Sequence, residues 1–146
     1  MAFETIIGLE IHVQLATQSK AFCGDDIRFG AEPNTHISAI SLAHPGTLPR
    51  LNEKQVDYAT RLGLALGSDI NLHHTFDRKN YFYADLPKGY QITQDAKPIC
   101  MGGSIDIQLK SGPKTIRFHH VHMEEDAGKS IHDIEDAYSY IDLNRA

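Results

Sequence analysis

Hydrophobic and polar residues alternate with a period of two over residues 5–15. The odd positions are apolar, and the even positions between them include Glu10 and His12. Strict alternation is typical of a β-strand with one buried face. The pattern predicts a half-buried strand whose inward side chains are Ile7, Leu9, Ile11, Val13 and Leu15. Glu10 and His12 then share the other face of the strand. They form either part of a functional site or a pair that faces solvent.

The period changes to that of a helix over residues 53–66. Asn52 precedes this segment, and Gln55 follows three positions later, which is a capping-box pattern. Gly67 is a favourable C-terminal stop. The apolar stripe predicted to face the core is Val56, Ala59, Leu62 and Leu66. The segment is therefore predicted to be a scaffold helix without chemistry.

Glycine and proline make residues 16–50 loop-rich, and four strands are predicted after this region, near 70–77, 104–110, 114–124 and 138–145. The side chains predicted to face inward are Ile105, Ile107, Leu109, Ile141 and Leu143. Within 114–124 the apolar positions change from even to odd after Phe118, and one extra residue in a β-bulge would reconcile them. Together these elements predict an α+β fold, mainly antiparallel sheet with one clear helix.

Composition narrows the class of protein. The 146 residues suit one domain, and a net charge of −5 argues against a broad electrostatic grip on nucleic acid. No apolar run is long enough to span a bilayer, and residues 1–5 lack the features of an export signal. Only Cys23 and Cys100 are present, which suits a reducing compartment. A cytoplasmic protein without membrane association is predicted.

The densest chemistry lies in residues 118–130, where three histidines and three consecutive carboxylates precede Gly-Lys-Ser. Carboxylate oxygens suit hard cations, and Mg²⁺ commonly holds substrate phosphates. The stretch therefore predicts a place where ATP, metal and an acceptor meet, with a solvated acidic turn as the alternative. A phosphate-binding P-loop is excluded, because Met123 stands where that motif needs its first glycine.

Cations and aromatic residues interleave over residues 77–90, with a turn predicted at 87–89. Lysine and arginine suit phosphates, while tyrosines offer stacking faces and hydroxyl groups. The alternative is a tyrosine corner packed on the sheet with lysines at the surface.

Six collinear segments carry a family resemblance: 7–12 (IGLEIH), 29–34 (FGAEPN), 45–49 (PGTLP), 76–83 (FDRKNYFY), 122–129 (HMEEDAGK) and 142–145 (DLNR). Together they closely resemble the N-terminal part of the B subunit of the aspartyl/glutamyl-tRNA amidotransferases. The B subunit of that family is much longer. The resemblance therefore implies that residues 1–146 form the N-terminal part of its catalytic domain, without the rest of that domain or the tRNA-binding helical and tail domains.

The resemblance implies half of a cradle like that of glutamine synthetase and a glutamine-hydrolysing carbon–nitrogen ligase that uses ATP and Mg²⁺. The implied reaction phosphorylates the side-chain carboxylate of Glu-tRNA(Gln) or Asp-tRNA(Asn), after which ammonia displaces the phosphate. The amidotransferase A and C subunits and the misacylated tRNA are the implied partners, and the preference between the two tRNAs stays open.

The resemblance also implies residue roles. Glu10, His12, Glu124 and Glu125 look like the metal and ATP-site residues, and they are expected to be catalytic together with Lys79. Strand alternation makes Glu124 and Glu125 point apart, so both can serve only if the strand breaks there. Glu10, His12 and Glu124 are expected to converge on one concave face. The implied phosphate, carboxylate and acceptor-end contacts are Lys79, Lys88, Lys129, Tyr81 and Tyr83.

Some members of the family carry a four-cysteine zinc site in the loop before Pro45. The matching positions here are Cys23, Asp25, Ser38 and Ser41, which lack the four thiolate or imidazole ligands of a structural zinc site. No zinc is expected there. A non-catalytic half-domain that binds partner subunits is the alternative function, and a free-standing metal-dependent hydrolase is a weaker third. The isolated chain is expected to be inactive, and association or poor solubility is also expected.

Overall fold

The structure, a computed structural model, describes residues 3–146. Met1 and Ala2 are the first two residues of the segment that lacks the features of an export signal, and they lie outside the described residues. The described part is α+β, with small antiparallel sheets and one helix, as predicted. The elements are α1 (Glu53–Ala65), β1 (Asp69–Ile70), β2 (Asp77–Asn80), β3 (Tyr90–Thr93), β4 (Cys100–Met101), β5 (Ser104–Leu109), β6 (Gly112–Arg117), β7 (His120–Val121), β8 (Lys129–Glu135) and β9 (Tyr138–Asp142).

Helix α1 covers the core. Strands β1, β4 and β7 form a three-stranded sheet, whereas β2–β3, β5–β6 and β8–β9 are antiparallel pairs. The buried apolar cluster consists of Ala59, Ile99, Cys100 and Met123, with Val56, Ile70, Phe76 and Val121 packed against it. The core therefore lies between α1, which contributes Val56 and Ala59 of the predicted stripe, and the three-stranded sheet.

The predicted helix is confirmed to within one residue. The side chain of Asn52 accepts a hydrogen bond from the backbone N–H of Lys54, so Asn52 is the N-cap. Gly67 follows the helix with φ at 66°, a left-handed conformation that glycine adopts without steric cost.

Residues 16–50 form loops, as predicted, apart from an isolated bridge between Ser19 and Asp26. Side-chain hydrogen bonds hold these loops to the end of β9. Asn34 donates to the Ile141 carbonyl and accepts from the Leu143 N–H, both at 2.8 Å. The predicted last strand is confirmed as β9, and Leu143 is buried immediately after it.

The strand predicted over residues 5–15 is wrong for the described structure. No strand lies there, and its apolar side chains are largely exposed, Leu9 by 89 %. A strand needs a neighbour to pair with its main-chain groups. Within residues 3–146 no other segment forms main-chain hydrogen bonds with residues 3–14. The alternation is present in the sequence, but the described residues provide no partner strand.

The strand predicted over 114–124 is confirmed only in part, because residues 114–117 belong to β6 and residues 120–121 to β7, and the predicted bulge is wrong. Strand β6 ends at Arg117 and pairs with β5, while β7 pairs with β4. The change from even to odd apolar positions marks a change of sheet. Ile105 and Leu109, predicted to face inward, are exposed because the β5–β6 pair lies away from the core.

Near 70–77 the chain forms the end of β1, a turn and the first residue of β2 rather than one strand. Strands β3, β4 and β8 were not predicted. Of these, β3 matters most for the site, because it runs beside the acidic stretch.

Candidate active site

Glu10, His12 and Glu124 come together in the structure. His12 Nδ1 lies 3.8 Å from Glu124 Oε1, and His12 Nε2 lies 3.9 Å from Glu10 Oε2. Glu10 and His12 are exposed on the N-terminal segment, and Glu124 is half-buried. The imidazole ring therefore lies near two carboxylates, although the strand expected to carry Glu10 and His12 is absent from the described residues. A common concave face for the three side chains stays a prediction.

Glu125 has other partners than Glu124, and neither residue lies in a strand, since β7 ends at Val121. The carboxylate of Glu125 pairs with the ammonium group of Lys88 and accepts a 2.8 Å hydrogen bond from the Ile92 N–H. Both side chains are largely shielded from solvent. A buried ion pair resists the loss of either partner, because the remaining charge would have no counter-ion. The structure thus brings Lys88 and Glu125 to each other, apart from Glu10 and His12.

A row of three imidazoles leads to Glu124 from the other side. His119 Nδ1 and His120 Nδ1 are 2.9 Å apart, and His120 Nε2 and His122 Nδ1 are 3.1 Å apart. His122 Nε2 lies 3.5 Å from Glu124 Oε2. Burial lowers the pKa of His120 below its ordinary value, and the neighbouring imidazoles lower it further. This favours the neutral form of the His120 ring, which accepts a hydrogen bond at one nitrogen and donates one at the other.

Of the two predicted lysines that remain, Lys79 lies on a strand pair beside this group, and Lys129 lies on another strand pair. Lys79 is exposed and lies in register with Gln91 on the β2–β3 pair. Because alternate residues share a face, Lys79 lies on the same face as Thr93, whose hydroxyl contacts Glu124. Lys129 begins β8 and lies in register with Asp142. Within residues 3–146 it has no hydrogen bond or ion pair with the other candidates.

Tyr81 is half-buried, and Tyr83 packs edge-on against it with ring centroids 5.7 Å apart. Burial raises the pKa of Tyr81, and the carboxylates of Asp85, Glu124, Glu125 and Asp126 raise it further. The Tyr81 hydroxyl is therefore a neutral hydrogen-bonding group near the acidic stretch. The two rings form a pair beside the site rather than a fully buried tyrosine corner.

The carboxylate oxygens of this group are suitable ligands for a magnesium ion that keeps most of its water ligands. Within the described residues no three histidine, cysteine or acidic side chains form a ready-made metal centre. Mg²⁺ is commonly bound through one or two carboxylates together with water and substrate phosphates. Glu124 and Glu10 offer two such carboxylates, with His12 between them.

Two site residues were missed from the sequence. The Thr93 hydroxyl donates to Glu124 Oε2 at 3.2 Å. Gln94 is only 3 % exposed, and its Oε1 accepts from the N–H groups of Met123 and Ile99 at 3.0 and 3.2 Å. Gln94 therefore ties the acidic stretch to the core. The sequence feature that could have indicated these residues is the run Tyr90–Thr93, which is rich in strand-forming residues and forms β3, but which was not predicted as a strand.

The positions matched to a zinc site form a hydrogen-bonded cluster. Ser41 donates to the carboxylate of Asp25, and Cys23 Sγ lies 3.6 Å from Ser41 Oγ. The buried Lys20 donates to the Leu143 carbonyl at 2.9 Å and lies 3.5 Å from Ser41 Oγ. Burial lowers the pKa of Lys20, while the nearby Cys23 and Asp25 raise it in part. Whether zinc binds here stays a prediction.

The described residues include no helix that is both long and apolar enough to cross a membrane.

Comparison with known proteins gives the family. A model of the GatB/GatE catalytic domain matches residues 5–146. Curated relatives named as the B subunit of an aspartyl/glutamyl-tRNA(Asn/Gln) amidotransferase include those of Teredinibacter turnerae, 58 % identical over 147 residues, and Persephonella marina, 53 % identical over 146.

The alignments cover 100 % of this chain but 31 % and 30 % of these two relatives. A relative from Thiobacillus denitrificans is 56 % identical, and 31 % of its length is covered. The family model spans nearly all of the chain, and the segments that carry the resemblance lie within the matched range. The chain therefore belongs to the GatB/GatE catalytic domain family.

Proposed function

We propose that this chain is part of the B subunit of a tRNA-dependent amidotransferase and carries part of the site that activates the acceptor. The observation that carries the proposal is the meeting of Glu10, His12 and Glu124 in a member of this family. The proposed substrates are ATP and Glu-tRNA(Gln) or Asp-tRNA(Asn), and the two tRNAs are those in the names of the relatives.

The chemistry proceeds in two balanced steps. An oxygen of the acceptor carboxylate attacks the γ-phosphorus of ATP, the bond to the bridging oxygen breaks, and ADP leaves. Ammonia then attacks the carbonyl carbon of the acyl phosphate, the bond from that carbon to the phosphate oxygen breaks, and the proton lost by the nitrogen leaves with inorganic phosphate as hydrogen phosphate. A carboxylate is a poor electrophile, and phosphorylation supplies the leaving group that ammonia can displace.

The residues of this chain supply charge and position. Glu124 and Glu10 would hold a Mg²⁺ ion that is bound to the nucleotide, and His12 lies between their carboxylates. A bound Mg²⁺ would offset phosphate charge during transfer. Lys79, exposed on the face that carries Thr93, provides a cation for the transferred phosphoryl group or the acceptor carboxylate. Tyr81 and Tyr83 border the path of the acceptor end.

Lys88 and Glu125 stabilise the segment that carries Glu124. Their ion pair and the Ile92 contact fix the backbone beside Glu124. In this proposal they position the acidic stretch rather than contacting ATP or metal directly. Lys129 lies at the start of β8 and is a further cation for a substrate that extends towards that strand pair.

The wider context is also a proposal. The A subunit provides ammonia from glutamine, the C subunit completes a cytoplasmic heterotrimer, and tRNA is read mainly by parts of the B subunit beyond the matched 30 to 31 %. The small antiparallel sheets are then part of a cradle like that of glutamine synthetase. The 146 residues alone are expected to be inactive even with ATP, Mg²⁺, charged tRNA and ammonia, because catalytic groups must be held within a fraction of an ångström.

The test uses the complete amidotransferase assembly, with free ammonia as nitrogen donor. Glu124→Gln and Glu10→Gln are expected to lower the rate of Gln-tRNA(Gln) formation by about 100-fold or more, since even outer groups around a metal contribute about 10- to 100-fold. Glu4→Gln is the matched control, because Glu4 is an exposed glutamate on the same segment as Glu10.

Glutaminase activity in the same preparations shows that the assembly is intact. Full amidation by Glu124→Gln would contradict the proposed role of this site. It would favour the alternative that these residues form a non-catalytic module for subunit interaction.

A further inference from the structure

Strand β3 holds two consecutive glutamates through two consecutive residues of its own. The Ile92 N–H donates to Glu125 Oε1 at 2.8 Å, and the Thr93 hydroxyl donates to Glu124 Oε2 at 3.2 Å. The Glu125 N–H donates in turn to the Ile92 carbonyl at 3.1 Å, so the acidic stretch lies along this edge of the strand. Thr93 contacts Oε2 of Glu124, whereas His12 lies nearest to the other carboxylate oxygen, Oε1.

The carboxylate of Glu124 has few other partners. Within residues 3–146 the Thr93 hydroxyl makes its only hydrogen bond. The nearest imidazole nitrogens, on His122 and His12, lie 3.5 and 3.8 Å away, outside good hydrogen-bond range. The half-buried Thr93 side chain therefore fixes the orientation of this carboxylate.

We infer that Thr93 is a positioning residue that holds Glu124 Oε2 and thereby presents Oε1 to a divalent cation on the side of His12. This inference rests on the proposed function, because it assigns a role within the same site. Ligand carboxylates of metal sites are themselves hydrogen-bonded, and removing such a partner typically weakens metal affinity about 10- to 100-fold. Thr93 makes no direct contact with nucleotide or acceptor in this inference.

The test replaces Thr93 in the complete assembly and measures Mn²⁺ binding by electron paramagnetic resonance, with a non-cleavable ATP analogue present. Mn²⁺ suits the same oxygen ligands as Mg²⁺. Thr93→Val keeps the shape but removes the hydroxyl, and the dissociation constant of Mn²⁺ should rise about tenfold. Thr93→Ser keeps the hydroxyl and should stay within about threefold of the unmodified protein.

Thr115→Val is the matched control. Thr115 also donates its hydroxyl to a carboxylate, that of Asp106, but on the exposed β5–β6 pair. Its loss should leave Mn²⁺ binding unchanged. If Thr93→Val lowers the yield of assembled protein, Thr93→Cys replaces it, since a thiol keeps the size but donates weakly.

Unchanged Mn²⁺ affinity in Thr93→Val, or in Thr93→Cys where it is used, overturns the inference, and so does an equal loss in Thr93→Ser. Glu124→Gln separates this inference from the proposed function. If that variant loses Mn²⁺ while Thr93→Val does not, the proposed site survives and the role of Thr93 is wrong. If neither variant changes Mn²⁺ binding, both are overturned.

Discussion

At the scale of single residues, the structure separates neighbours that the sequence presents together. Glu124 faces His12, whereas Glu125 is engaged with Lys88 and a backbone N–H. A carboxylate in an acidic turn would be expected in water, yet Glu125 is buried. The acidic stretch is therefore only in part the solvated turn considered from sequence, since Asp126 is exposed while Glu125 is not.

The loop cluster around Asp25 gives a residue-scale prediction about pH. Burial raises the pKa of Asp25, but the hydrogen bond from Ser41, the nearby Cys23 and Ser38 side chains and the charge of Lys20 lower it, and the net pKa lies below 3.8. A carboxyl group with a lowered folded-state pKa stabilises the protein above its unfolded value, and that stability is lost as pH falls through the folded value.

Ser41→Ala should therefore lower the free energy of unfolding by about 1 kcal/mol at neutral pH. The difference from the unmodified protein should shrink as pH falls below the ordinary value of 3.8. Urea unfolding from neutral pH to about pH 3 measures this. Ser111→Ala, in the exposed turn between β5 and β6, is the control. A difference for Ser41→Ala that does not vary with pH would show that Asp25 is not the group involved.

At the scale of elements, α1 approaches the three-stranded sheet through Gly63. A Cβ atom at this position would clash with Cys100 Sγ, and the same Cβ atom would lie only 2.8 Å from Ile70 Cδ1. The glycine costs helix propensity, but it permits the backbone of α1 to pack closely on β1 and β4. Packing, not propensity, therefore selects the residue here.

Gly63→Ala should destabilise the protein although alanine is the better helix former. The gain in propensity is about 1 kcal/mol, whereas overpacking a core typically costs about 1 to 3 kcal/mol. Thermal unfolding should show a lower midpoint for Gly63→Ala than for Gly24→Ala, since a Cβ at Gly24 meets nothing within 4 Å. A midpoint raised by Gly63→Ala would mean that the helix is less tightly packed than the structure shows.

At the scale of the whole molecule, the residues that bring Glu10 and His12 to the site lie on a segment with little packing of its own. Phe3, Ile7, Leu9 and Ile11 are each more than three-quarters exposed. Contiguous exposed apolar surface of this kind marks interaction sites or association. The geometry around Glu124 thus depends on a segment that the described residues hold weakly.

The isolated chain should therefore self-associate through this segment. Leu9→Lys should lower the mean mass in sedimentation equilibrium, because it places a charge within the apolar row. Leu72→Lys should have little effect, since Leu72 is as exposed, by 85 % against 89 %, but stands alone in a loop. A monomeric unmodified chain, or equal effects of the two variants, would contradict this prediction.

The sequence by itself determined much of this protein. Asn52, the apolar stripe and Gly67 specify α1 locally, because caps and a 3.6-residue period act within one element. The family followed from six collinear segments, and Glu10, His12 and Glu124 were expected to meet. Alternation implied that both Glu124 and Glu125 could serve only if the strand broke there, and β7 does end before them, at Val121.

Only the tertiary structure decided which strands have partners. The alternation over residues 5–15 specifies a face but cannot supply a neighbour, and the shift of apolar positions after Phe118 was a change of sheet rather than a bulge. Thr93 and the Lys88–Glu125 pair could not be found from spacing, because their contacts join residues 31 and 37 positions apart. Such long-range pairs arise where β3 lies beside the acidic stretch, and no local pattern encodes that placement.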